Sequence, residues 1–134
     1  MATNIPILQI GRNLIVPIQG DLYDQLVLEL QSEILTRIEK TTAHGLILDI
    51  SSLEFLDSFM ARVLNDIATM ASLMGTRSVV VGMSPTVAII LMDLGLQMSS
   101  VPTARNLEKG LELLTILTAD MAGDDDAWDG QADD

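Results

Sequence analysis

Short aliphatic runs alternate along this chain with longer stretches in which apolar residues return every third or fourth position. That alternation restricts the fold more than any single motif. Residues 5–10 (IPILQI) and 13–18 (NLIVPI) are short β-branched runs separated by Gly11-Arg12, which predicts a hairpin. Pro6 and Pro17 restrict parts of these strands to edge or end positions. A helical pattern opens at Gly20-Asp21, with Leu22, Leu26, Leu30, Ile34 and Ile38 every fourth residue and Val27 and Leu35 widening the stripe. Asp24, Glu29, Glu33, Arg37 and Lys40 occupy its other face. LILDI at 46–50 is nearly continuous in apolar character, as a strand covered on both faces requires. A second helix is predicted from about Asp57 to Met74, with Gly75 as its stop and Met60, Val63, Leu64, Ile67, Met70, Ala71 and Met74 on its apolar face.

The pattern then repeats. Residues 78–83 (SVVVGM) form a buried strand, and Ser84-Pro85 supplies an N-cap and a first-turn proline. Val87, Ile90, Leu91 and Leu94 give the third helix its apolar face, ending at Gly95. A short strand is expected around Val101, and Thr103 is expected to cap a last helix built on Leu107, Leu111, Leu114 and Leu117. The order β-β-α-β-α-β-α-(β)-α implies an α/β fold: a mixed, mostly parallel sheet with an N-terminal antiparallel pair, packed against about four helices.

Composition narrows the function classes. The 134 residues hold 7 Lys plus Arg against 19 Asp plus Glu, a formal net charge of -12. An acidic surface repels phosphate backbones, so nucleic acid is not an expected partner. There is no Cys and one His, His44, which leaves no thiolate nucleophile and no Cys- or His-rich metal site. No cofactor or metal is expected. Aromatics are 3 % of the chain, so the core must be aliphatic. No apolar run reaches the ~18 residues of a membrane span, and the N-terminus lacks signal-peptide features. A cytoplasmic protein with no membrane partner is the expectation.

The negative charge is uneven. From Thr118 onward the chain carries seven acidic residues, Asp120, Asp124, Asp125, Asp126, Asp129, Asp133 and Asp134, and no basic one, leaving -5 for the remainder. Residues 1–117 are therefore expected to form a single domain and residues 118–134 an acidic disordered tail. Trp128 lies within the tail, either simply solvated there or serving as a docking element.

No phosphate-binding glycine loop and no nucleophile elbow is present. A Ser/His/Asp arrangement would have to pair His44 with Ser58, but these lie at opposite ends of one strand, roughly 15–20 Å apart. No catalytic residue is assigned, and an enzyme is not expected. Attention falls on ILDISSLEFLDSFMARVL, where a strand ends at Asp49-Ile50, turns at Ser51-Ser52 and enters a helix at Asp57-Ser58. In α/β domains the loops at this edge carry function. A phosphate on a hydroxyl there would face free helix N–H groups. The alternative is a capping Ser or Asp with no modification.

The segment Asp49-Ile50-Ser51-Ser52-Leu53-Glu54-Phe55-Leu56-Asp57-Ser58-Phe59 resembles the signature of STAS domains, a family that includes the anti-sigma-factor antagonists of bacterial partner switches. Residues 82–96, from Gly82-Met83-Ser84-Pro85 to Gly95-Leu96, are similar to the family's next strand-turn-helix. The resemblance covers roughly residues 5–117. Within the family, Phe59-Met60-Ala61-Arg62-Val63-Leu64 and Leu73-Met74-Gly75 are similar to the RsbS class, the small scaffold subunits of the bacterial stressosome. The acidic tail departs from that class.

This resemblance implies a phospho-switch scaffold. Ser58 would be the acceptor of a serine/threonine switch kinase, sequestered while Ser58 is unmodified and released on phosphorylation. A cognate phosphatase would reset the switch, and a larger STAS-domain scaffold paralogue would share a homo- and hetero-oligomeric assembly. Asp57, Phe59, Ser51, Ser52 and Ser84 would form the contact surface. Asp57 either caps the helix or also orients the Ser58 hydroxyl. Phe59 is either core or an exposed contact. Thr86, in the first turn of the next helix, is either a simple helix-start residue or a second phosphorylation site. The alternative function is a simple anti-sigma-factor antagonist or a ligand-binding STAS module outside a stressosome.

Overall fold

A computed structural model describes residues 5–19, 23–95 and 101–121. The elements follow the expected order: β1 (Leu8–Ile10), β2 (Asn13–Pro17), α1 (Asp24–Thr41), β3 (Gly45–Asp49), α2 (Ser58–Leu73), β4 (Arg77–Val81), α3 (Pro85–Asp93), β5 (Thr103–Ala104) and α4 (Leu107–Leu117). A 3-10 turn, Ala119–Met121, follows α4, and the rest of the acidic tail lies outside the described residues. Among the described residues no helix is long and apolar enough to cross a membrane.

The five strands lie in sequence order, β1-β2-β3-β4-β5. β1 and β2 pair antiparallel around Gly11-Arg12, with Ile10 opposite Asn13. Every later pair is parallel, joined through a crossover helix. The register aligns Ile15, Ile47 and Val79 across β2, β3 and β4, and one residue on it aligns Val16, Leu48 and Val80.

Those two rows point to opposite faces, because side chains alternate along a strand. Leu14, Val16, Leu46, Leu48 and Val80 pack with the buried faces of α1, α2 and α3 in the larger core. Ile15, Ile47, Val79 and Val81 pack beneath α4, around Leu114. This division explains the unbroken apolar runs: both sheet faces are covered. α4 lies close because residue 110 is glycine; a β-carbon there would stand 2.5 Å from Val81 Cγ1.

Two expectations need correction. In α1 the buried residues are Val27, Leu30, Ile34 and Ile38, with Leu26 only half-buried. A strict four-residue repeat advances 400° per step and drifts about 40° from the core each time, so the stripe's N-terminal members rotate away. The helix begins at Asp24; Gly20, Asp21 and Leu22 lie outside the described residues. In α4 the cap is Asn106, whose side chain accepts from the Lys109 N–H at 2.9 Å. Thr103 belongs instead to β5, held where the Pro102 carbonyl accepts from the Val80 N–H at 3.0 Å.

Candidate functional site

The parallel strands β2 to β5 end along one edge of the sheet, and α2 and α3 begin there. The β3–α2 loop is fixed by local bonds. The Ser51 N–H donates to Asp49 Oδ1 at 3.0 Å, and the Leu53 N–H donates to the Ile50 carbonyl at 3.0 Å. Leu53 and Leu56 are buried and anchor the loop to the core. The Ile50 N–H donates to the Val81 carbonyl at 3.0 Å, tying the loop to the end of β4. Gly82 then passes against Ser51 with φ at +81°.

This frame delivers Asp57 and Ser58. Asp57 has extended backbone, φ -90° and ψ 174°, and its Oδ1 accepts the Met60 N–H at 2.8 Å. It is the N-cap of α2, satisfying one of the donors a helix leaves free in its first turn. Asp57→Ala is expected to cost about 1 kcal/mol of stability, and Asp57→Asn much less, as read by urea unfolding. Ser58 is the first helical residue and is exposed. With the cap supplied by Asp57, the Ser58 hydroxyl has no hydrogen-bond partner among the described residues.

The adjacent helix repeats the arrangement. Ser84 caps α3, its Oγ accepting the Val87 N–H at 3.2 Å, and Pro85 opens the helix. Thr86 follows and is exposed. Ser51 and Ser52 are exposed and Ser84 is half-buried, so all three lie at this rim. Phe59 is half-buried and packs against the larger core. His44 is at the far end of β3, where its Nε2 lies 3.4 Å from an Arg12 guanidinium nitrogen. Ser58 lies beyond the opposite end of β3, so it does not pair with His44. Among the described residues no group of three or more His, Cys, Asp or Glu could hold a metal ion.

Some surface features escaped the sequence reading. Phe55, in the loop before Asp57, is 67 % exposed. The available signal was an aromatic in a short loop that already has two leucines, Leu53 and Leu56, to anchor it. On α3, Ile89 and Met92 are 60 % and 80 % exposed. The signal there was that PTVAIILMD is apolar on every side, more than one buried face requires.

The sequence matches the STAS domain family over residues 4–110. A serine-to-glutamate variant of RsbS from Moorella thermoacetica shares 39 % identity, with a TM-score of 0.79 over 87 % of this chain and 99 % of that one. A chain from a structure of the stressosome, described as a signal integration and transduction hub, shares 42 % identity at a TM-score of 0.76, covering 84 % of this chain and 98 % of its own. The RsbT co-antagonist protein RsbRA of Bacillus subtilis is 21 % identical over 114 residues, and those residues span 42 % of its length. The unphosphorylated anti-sigma factor antagonist SpoIIAA shares the fold, with 18 % identity and a TM-score of 0.66 over 86 % of this chain and 96 % of its own.

A mixed sheet covered by three helices on one face and one on the other, with capped helices at the strand ends, defines the class: the chain belongs to the STAS domain family. Within that family it is RsbS-like, similar along most of its length to RsbS and to the stressosome chain.

Proposed function

We propose that this chain is a non-enzymatic phospho-switch scaffold whose acceptor is Ser58. Unmodified, it holds a serine/threonine switch kinase at the rim formed by the β3–α2 loop and the α3 N-terminus. Phosphorylation of Ser58 releases the kinase to a downstream stress-response partner, and a cognate phosphatase restores the starting state. The assembly includes larger STAS paralogues related to RsbRA.

One observation carries this reading: Asp57, not Ser58, caps α2, so the Ser58 hydroxyl is exposed and uncommitted at a helix start. Phosphorylation adds about -1.5 to -2 charge at pH 7. That charge falls beside Asp57 and Glu54, both exposed, on a surface that fits the partner while Ser58 itself is uncharged. The test is incubation with the cognate kinase and ATP, followed by mass spectrometry. Phosphate on Ser58 is expected; a chain left unmodified at Ser58 contradicts the reading.

A second reading, a ligand-binding STAS module, draws on a cavity of about 570 Å³ at the other end of the sheet. It is lined by Ser72, Thr76, Arg77, Ser78, Val101 and Leu117, among others. The Ser78 hydroxyl is buried there without a hydrogen-bond partner. Saturable ligand binding that persists in Ser58→Ala, with no phosphotransfer in the wild type, would favour it.

A further inference from the structure

We infer that Arg62 is the intramolecular counter-ion for a phosphate on Ser58. The inference rests on the proposal that Ser58 is phosphorylated, and it adds a second residue to that switch. Ser58 and Arg62 are four residues apart in α2, so they lie one above the other on the same helix face. Both are exposed. Side chains on a helix tilt toward its N-terminus, which directs the Arg62 guanidinium back toward residue 58.

Arg62 is also uncommitted. Among the described residues it has no ion pair and no side-chain hydrogen bond. The other cations are engaged or less directly placed. Arg12 donates to Thr42, Arg37 donates to the Ile7 carbonyl, and Lys109 reaches Glu112. Lys40 ends α1 and Arg77 begins β4, both at the opposite edge of the sheet. Arg105 follows β5 at the same edge as Ser58 but two strands along from β3, whereas Arg62 is on Ser58's own helix.

The anions near Arg62 are Asp57 and Glu54 before it and Asp66 one turn beyond. An anion four residues N-terminal to a cation is the favourable order on a helix, and the reverse order is weaker. A phosphate at 58 stands in the favourable order to Arg62, whereas Asp66 stands in the weaker one. A phosphate also offers three acceptor oxygens to a planar guanidinium that can bind two at once. Phosphorylation then changes the rim twice. It adds a dianion, and it withdraws the free cation of α2 from any partner that had used it.

The test uses the full chain with phosphoserine placed at 58 by genetic incorporation, so that no kinase is needed. If mass spectrometry of the kinase reaction finds no phosphate on Ser58, the switch reading fails separately. Two readouts address Arg62. Its Nε–Hε resonance is expected to move downfield in the phosphoserine chain and to return toward its unmodified position in high salt. The second ionisation of the phosphate, followed by phosphorus NMR, is expected to rise by roughly 0.3–0.5 pH unit in Arg62→Gln. Arg62→Lys should restore part of that shift, because charge remains while the two-point contact is lost. Thermal unfolding of unphosphorylated Arg62→Gln should match the parent, which separates the effect from a folding defect. An unmoved Arg62 resonance, with identical phosphate titrations in parent and Arg62→Gln, would overturn the inference.

Discussion

Ser58→Ala is expected to abolish phosphotransfer to the chain and leave the switch kinase bound, while Ser58→Glu is expected to weaken kinase binding by roughly tenfold. The reason lies in the division of labour at the start of α2. Asp57 accepts the Met60 N–H at 2.8 Å and holds the cap, whereas the Ser58 side chain is exposed and unbonded. Removing the hydroxyl should change stability by no more than about 0.5 kcal/mol, the usual range for a surface substitution. A lost reaction would then report chemistry, not unfolding. Glutamate carries one negative charge where a phosphate carries about -1.5 to -2, so its effect should be the smaller one. Phosphotransfer assays and calorimetric titration with the kinase check both variants. Transfer continuing in Ser58→Ala, for example to the exposed Thr86, would assign the switch to another residue.

Gly82→Ala is expected to destabilise the domain by about 2–5 kcal/mol and to disturb the rim as it does so. Two costs combine. At φ +81° any L-residue pays for a left-handed conformation, about 1–2 kcal/mol. A β-carbon there would also stand 2.6 Å from Ser51 Cβ and 2.9 Å from Ser51 Cα. The second contact is backbone, so relief requires the Ser51 turn to move, adding about 1–3 kcal/mol. Gly75 isolates the first cost: its φ is +86°, yet nothing lies within 4 Å of a β-carbon there. Gly75→Ala should therefore lose only about 1–2 kcal/mol. Urea unfolding of the two variants compares them directly. Equal losses would mean that the Ser51 contact carries no energy and that the β3–α2 loop adapts freely.

The order of elements was legible because each kind of element has its own period. Both sheet faces are covered, so β3 and β4 read as continuous apolar runs; α2 and α4 carry apolar residues at helical spacing. Ser84-Pro85 and Asp57-Ser58 marked helix starts because capping is a local interaction, settled within three residues. The α4 start is ambiguous in sequence because Thr103 and Asn106 are both acceptable caps. The choice depended on Thr103 being drawn into β5, a pairing between residues far apart in sequence.

At the rim, spacing could place Ser58 at a helix start but could not show that its neighbour takes the capping bond. Phe59 stood off the main apolar stripe of α2 and still packs against the core. A side chain at the rim of a stripe is placed by what lies across from it, here the larger core. Phe55 shows the converse, an aromatic in a fixed loop that remains exposed.

The most direct test of the proposed switch is the affinity of the cognate kinase for two forms of the full chain, one with Ser58 unmodified and one with phosphoserine at 58. The proposal predicts that the phosphorylated chain binds about a hundredfold more weakly, equivalent to about 3 kcal/mol. Equal affinity for the two forms would contradict it.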